Sequence, residues 1–320
     1  MPLLKSSYQP PFVFKNYHIS TVYASLFRKP LPVKQIRERV ELADGDFIDI
    51  DWSYSNSASK KVLVILHGLE GNAQRPYITG LANYFNIHNW NVAAVNFRGC
   101  SGEINRLYRS YNAGASEDLQ EIVTHVLPKN NYTHLAINGF SLGGNLLLKY
   151  LGEGNALPPQ LKAAVAISTP CDLHGSLKKL EEPKNRLYTK RFIKKLKSQL
   201  ILRGKHFPAE LSPSQILECE SLLSIDDLYT SKAHGFKDAL DYYKKSSSLN
   251  FLQYISTPTL LINAKNDGFL SDSCYPEAIA KRSPNFFLET PLYGGHVGFI
   301  QNKKQTYTEE RALEFISSFL

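Results

Sequence analysis

Ser141 sits in Gly139-Phe140-Ser141-Leu142-Gly143, between the apolar run Leu135-Ala136-Ile137 and the helix-forming run from Gly144 to Leu151. Glycine two residues either side of a serine, between a buried strand and a helix, allows a turn that a Cβ would block. The turn lifts the hydroxyl above the sheet and sets the free N–H groups of a helix N-terminus beside it. A free hydroxyl is a poor nucleophile at neutral pH and needs a base within hydrogen-bond reach. His296, after Gly294-Gly295, is the imidazole to take that proton and return it to a leaving alcohol. Asp267, in Asn266-Asp267-Gly268, would accept the other ring N–H and stabilise the imidazolium, with Asp272, Asp226, Asp227 and Asp172 as rival carboxylates. The chemistry is acyl transfer through a tetrahedral oxyanion, which needs two N–H donors. Leu142 follows the nucleophile, and Leu69 follows His67-Gly68; their backbone N–H groups are the expected pair.

Other reactive side chains fit this chemistry less well. His67 reads as structural, shaping the turn that carries Leu69. Cys100 follows a strand but has no sharp turn of its own. His134, His174, His206 and His234 lack metal-ligand spacing, so neither a metal nor any other cofactor is expected.

The elements that must hold these residues can be read from the apolar pattern. A hairpin runs from Ile36 to Leu42, turns at Asp44-Gly45, and returns from Phe47 to Trp52 with period-two alternation. Buried strands are expected at Lys61–Leu66, Asn91–Phe97, Leu135–Ile137, Ala163–Ile167, Thr259–Asn263 and Phe286–Glu289. Helices are expected at Tyr77–Asn89, Glu117–Val126 and Thr308–Phe319. Strands alternating with helices imply an α/β architecture, a mostly parallel central sheet with helices on both faces. In such sheets reactive groups collect at the carboxyl ends of the strands, where Ser141, His67, Asp267 and His296 all fall. Residues 1–35, rich in proline and aromatics, read as an irregular arm packed on the core. Residues 36–170 and 251–320 read as the core. Residues 171–250, where charge rises and strand signals vanish, read as an inserted cap of several short helices.

The chain has 320 residues, 43% hydrophobic, with a formal net charge of +8. That composition supports a large core and argues against disorder. No apolar run spans a membrane, and the first thirty residues lack the core of a signal peptide. Cys100, Cys171, Cys219 and Cys274 are scattered and read as free thiols, so a cytoplasmic location is expected. Much of the positive charge lies between Lys178 and Lys205. No nucleic-acid motif accompanies it; a solvated helix face or peripheral contact with an anionic surface is expected instead.

Several blocks together resemble the YheT-like α/β-hydrolases (AB hydrolase family 4). They are Asp44-Gly45-Asp46-Phe47 with Asp51-Trp52, His67 to Gly71, Asn96-Phe97-Arg98-Gly99-Cys100-Ser101-Gly102-Glu103, Gly139 to Asn145, and Gly294 to Phe299. The arm (Asn16 to Thr21) and His234-Gly235-Phe236 with Tyr242-Tyr243 add to the likeness, which covers nearly the whole chain. The resemblance implies an α/β-hydrolase fold with an inserted helical cap, and a serine hydrolase acting on carboxylic or lipid esters. Matching motif to motif, it implies Ser141, Asp267 and His296 as the triad. Two blocks depart. The family's Asp-Asp-Pro-Phe reads Asn266-Asp267-Gly268-Phe269, which favours Asp267 as the acid; its Tyr-His-Ser-Gly reads Tyr111-Asn112-Ala113-Gly114. The expected activity is therefore a cofactor-free carboxylesterase for short or medium acyl chains. A lipase or phospholipase and a non-catalytic module that kept the fold are the alternatives.

Overall fold

The apolar runs lie side by side in a nine-stranded sheet in the computed structural model, which describes residues 2–320. The strands are β1 (Leu3–Leu4), β2 (Ile36–Glu41), β3 (Phe47–Ser53), β4 (Lys61–Leu66), β5 (Asn91–Asn96), β6 (His134–Phe140), β7 (Leu161–Ile167), β8 (Thr259–Ile262) and β9 (Phe286–Glu289). Their order is β1-β9-β8-β7-β6-β4-β5-β3-β2. All neighbours pair parallel except β3 with β2 and with β5.

Alternate residues of one strand enter different cores. Val62, Val64 and Leu66 of β4 pack with the helices Ser116–Val126 and Leu142–Gly152. Leu63 and Ile65 face the other way, against the helices Pro76–Ile87 and Tyr307–Ser317. Burial on both faces explains why these strands read as continuous apolar runs.

The hairpin's alternation has a different cause. Asp49 and Asp51 of β3 are buried, each directly opposite an arginine of β2. Arg39 Nε donates to Asp49 at 2.9 Å and Arg37 Nε to Asp51 at 2.7 Å. Cross-strand opposite charges of this kind stabilise a pair and cover the carboxylates.

Two elements differ from the sequence expectation. The arm is not irregular throughout. Leu3 and Leu4 extend the sheet beside Leu288 and Glu289. The helix Tyr17–Val22 starts at Asn16, whose side chain accepts from the amides of His18 and Ile19, and runs into a π-helical turn at Tyr23–Phe27. A two-residue strand carries no period, and a short polar helix gives little apolar signal. The region between β7 and β8 holds helices as expected, but one is long, Arg186–His206. It is rich in Leu, Lys and Arg, has no proline between Pro183 and Pro208, and its many cations mask its apolar side. Leu200, Leu211, Ile216, Cys219, Ile225 and Tyr229 give this region a small core of its own.

Candidate functional site

Gly139-Phe140 ends β6, and the helix Leu142–Gly152 begins immediately after Ser141. Between them Ser141 adopts φ 52° and ψ −119°, a conformation that L-residues avoid. Its amide donates to Ile167 O on β7 at 2.9 Å, which fixes the turn against the sheet. A Cβ on Gly139 would stand 2.4 Å from Gly143 O, and one on Gly143 would stand 2.5 Å from His67 O. Both glycines are therefore demanded by backbone packing around the serine.

Three loops at the carboxyl ends of β6, β8 and β9 meet here. The Ser141 hydroxyl donates to His296 Nε2 at 2.9 Å, and His296 Nδ1 donates to Asp267 Oδ2 at 2.8 Å. A carboxylate only accepts, so the Asp267 contact fixes the ring tautomer and leaves Nε2 facing the hydroxyl. The Asp267 side chain is fully buried, its Oδ1 accepts the Phe269 amide at 3.0 Å, and the Phe269 ring packs on the imidazole with centroids 4.4 Å apart. The rival carboxylates are engaged elsewhere. Asp172 caps the helix Leu173–Glu181, and Asp227 accepts the Ala239 amide. Asp226 accepts from Thr230 and Tyr243, and burial pushes its carboxyl up to about 6. Asp272 opens a 3₁₀ turn.

The histidine loop is held by side chains from three separate elements. The Gly295 amide donates to Asn266 Oδ1 at 3.0 Å, the His296 amide to Thr21 Oγ1 at 2.9 Å, and the Val297 amide to Ser168 Oγ at 2.9 Å. Ser20 Oγ donates to Gly294 O at 3.0 Å. The arm is thus part of the site, which its sequence did not announce. Ser20 and Thr21 lie in a block that resembles the family, but nothing in that block tied their hydroxyls to the histidine loop. Asn266 did carry a signal, because it stands where the resembled family has an acid. Its amide nitrogen donates to Lys15 O at 3.0 Å while its oxygen holds Gly295, a dual role that a carboxylate lacks. At Gly268, where the family has proline, a Cβ would lie 2.5 Å from the Tyr17 ring.

Leu69 and Leu142 flank the serine on the other side. The amides next to Leu69 are committed: Gly68 N–H donates to Tyr77 Oη at 3.3 Å and Glu70 N–H to Tyr111 Oη at 2.9 Å. Among the described residues the Leu69 and Leu142 amides have no acceptor. Glu70, at φ 54°, is pinned further through its carbonyl, which accepts from Arg75 Nη2 at 2.9 Å and from Lys195 Nζ. Lys195 belongs to the long helix, so that helix is tied directly to the Leu69 turn. His67 is fully buried. Its Nδ1 donates to Gly68 O at 2.8 Å and its Nε2 accepts the Phe97 amide at 3.2 Å, and burial pushes the imidazole down to about 3. It is a neutral brace between β4 and β5. Burial raises the Cys100 thiol, the opposite of what a thiolate nucleophile requires.

The most distinctive sequence block serves architecture. Arg98 is buried, with Asp44 at 2.8 Å, Asp46 at 3.1 Å and Asp118 at 2.7 Å. Asn96 accepts the Ala73 amide and donates to Asp49 O. Together they clamp the hairpin to the loops around the site. In the other departing block, Asn112 Nδ2 lies 3.0 Å from His234 Nδ1, and burial holds that imidazole neutral.

Two cavities open at Ser141 and His296. One, of about 180 Å³, lies beneath the helices between β7 and β8, with Leu177, Leu180, Leu196, Leu200, Leu222 and Ile225 in its wall. The other, of about 140 Å³, runs between the arm and the long helix, past Thr21, Ala24, Tyr77, Tyr188, Arg191 and Lys195.

Comparison with known proteins places this geometry in a family. Residues 61–303 match the family model described as alpha/beta hydrolase fold. The Escherichia coli (strain K12) protein named "Putative esterase YheT" is 34% identical, over 96% of this chain and 92% of its own length. Phospholipase ABHD3 of Mus musculus is 26% identical, over 100% of this chain and 80% of its own. Monoacylglycerol lipase ABHD2 of Homo sapiens is 27% identical, over 94% and 76%. The solved Pyrococcus furiosus esterase PF2001 superimposes with a TM-score of 0.61 at 18% identity, covering 99% of each chain. The chain belongs to the α/β-hydrolase fold family, and within it to the YheT-like members.

Proposed function

We propose that this protein hydrolyses carboxylic esters through an acyl-enzyme formed on Ser141. The observation that carries the reading is the unbroken relay: hydroxyl to imidazole at 2.9 Å, imidazole to buried carboxylate at 2.8 Å. Ser141 Oγ attacks the ester carbonyl carbon while its proton passes to His296 Nε2. The carbonyl electron pair moves onto oxygen, and that oxyanion accepts from the Leu69 and Leu142 amides. Collapse breaks the bond to the alcohol, which leaves with the proton from Nε2. Water repeats the sequence on the acyl-enzyme, releases the acid and restores the hydroxyl. Asp267 stays ionised throughout and stabilises the imidazolium. The chain's own groups supply every proton transfer.

The larger cavity suits the acyl half. Its leucines offer an apolar surface, and the helical region 171–250 acts as the cap that covers it. Asp226, Thr230, Arg203 and Asn112 also line this cavity. These groups interrupt the apolar wall, so short and medium chains fit best. A second reading, lipid ester hydrolysis, is favoured by two observations. Relatives bear phospholipase and monoacylglycerol lipase names, and cations line the other cavity, where the alcohol half would sit.

Turnover of p-nitrophenyl esters of graded chain length tests the proposal. The expected result is a maximum at short or medium chains and a loss of about 10⁴-fold or more in kcat for Ser141→Ala and for His296→Ala. Wild-type turnover in Ser141→Ala would overturn it. Activity that appears only with aggregated substrate would favour the lipid reading.

A further inference from the structure

Two surface stripes lie on the elements that wall the smaller cavity. On the arm, Ser20, Thr21 and Ala24 are buried against the site, while Ile19, Tyr23, Leu26 and Phe27 are exposed. Leu26 and Phe27 are 51% and 64% exposed. On the long helix, Leu187, Lys190, Arg191 and Lys194 follow i, i+3, i+4, i+7 spacing and are all exposed, Leu187 by 83%. The two elements touch: His18 Nδ1 lies 3.1 Å from Tyr188 Oη, with the rings stacked. Both line the cavity that reaches Ser141, through Thr21 and Val22 on one side and Tyr188 and Arg191 on the other.

The charge pattern of these elements is one-sided. The first acidic residue of the chain is Glu38, so the whole arm is free of carboxylates. The helix Arg186–His206 also contains no Asp or Glu. A merely solvated helix face interleaves both signs, with acids placed to pair with its lysines. Scattered exposed apolar residues are ordinary, but these lie on two touching elements that both line the smaller cavity. Apolar side chains rimmed by cations alone are the composition of elements that rest in an anionic lipid interface.

We propose that this face docks on an anionic lipid surface. Phe27, Leu26 and Leu187 enter the interface, Lys190 and Lys194 meet the headgroups, and the smaller cavity opens towards the lipid. Only the last point rests on the ester-hydrolase reading, because docking can be measured without catalysis. The test is co-sedimentation of the full chain with vesicles of phosphatidylcholine alone and of phosphatidylcholine mixed equally with phosphatidylglycerol. Expected is binding to the mixed vesicles that high salt reverses, with little binding to the neutral ones. Lys190→Gln and Lys194→Gln should each weaken binding about fivefold. Leu187→Asn with Phe27→Ser should also weaken it, and all four changes should leave p-nitrophenyl butyrate turnover and thermal melting unchanged. No binding to mixed vesicles, or wild-type binding by both sets of variants, would overturn the proposal. So would duplex DNA displacing the protein from mixed vesicles while the apolar variants bind normally. Vesicle binding by a protein that hydrolyses no ester would support docking and count against the catalytic reading alone.

Discussion

Thr21→Val isolates the arm's contribution to the site. Valine keeps the branched shape and removes the hydroxyl. Two hydrogen bonds go: the His296 amide loses its acceptor at 2.9 Å, and Tyr17 O loses a donor at 2.7 Å. Leaving a largely buried amide unsatisfied costs about 1–3 kcal/mol. The Gly295 and Val297 amides remain tied to Asn266 and Ser168, so the loop shifts instead of unravelling. A shift well under an ångström in a reacting group costs about tenfold in rate, given that a full ångström costs about a hundredfold. We therefore expect kcat on p-nitrophenyl butyrate to fall about tenfold, with KM little changed. Thr21→Ser, which restores the hydroxyl, should recover most of the loss. Steady-state kinetics of the two variants, with thermal melts to show that the fold persists, decide the matter. Full kcat in Thr21→Val, or equal damage in Thr21→Ser, would refute the idea that this hydroxyl holds the histidine loop.

Asp267→Asn should lower kcat by about 10⁴-fold, because an amide donating to Nδ1 forces the proton onto Nε2; near-normal turnover would mean that another acid serves. Asp226 binds its proton more tightly folded than unfolded, so its ionisation destabilises the protein above pH about 6, and that effect disappears as pH falls towards the unfolded value of 3.8. Asp226→Asn should accordingly raise the melting temperature by a few degrees at pH 8 and by little at pH 4; the same gain at both pH values would contradict the assignment. Gly139→Ala places a Cβ 2.4 Å from Gly143 O, so it should abolish activity and lower the melting temperature sharply; a stable, active variant would show that the elbow relaxes more than its packing suggests.

The core was readable because strands buried on both faces leave long apolar runs, and the β6 elbow because both its glycines answer backbone contacts, Gly139 within the turn and Gly143 against the end of β4. The residues that meet at Ser141 come from positions 126 and 155 residues further along the chain. Only their place at the ends of apolar strands pointed to one rim of the sheet. The arm stayed hidden for a physical reason. Thr21 and Ser20 act through single hydroxyls on loop amides, an interaction with no period, spacing or charge to betray it. The helix Arg186–His206 was obscured for the opposite reason: its cations dominated the reading, although its Leu, Lys and Arg content favours a helix. Asn266 was visible only as a missing acid, and its use, bridging Gly295 and Lys15 O, required coordinates.

Ester hydrolysis by this chain requires a nucleophilic hydroxyl activated at Ser141. A fluorophosphonate probe followed by peptide mass mapping addresses this directly. The expected adduct lies on Ser141 alone in the wild-type chain and forms orders of magnitude more slowly in His296→Ala. A wild-type chain that takes up no probe, or an adduct on any other side chain, would contradict it.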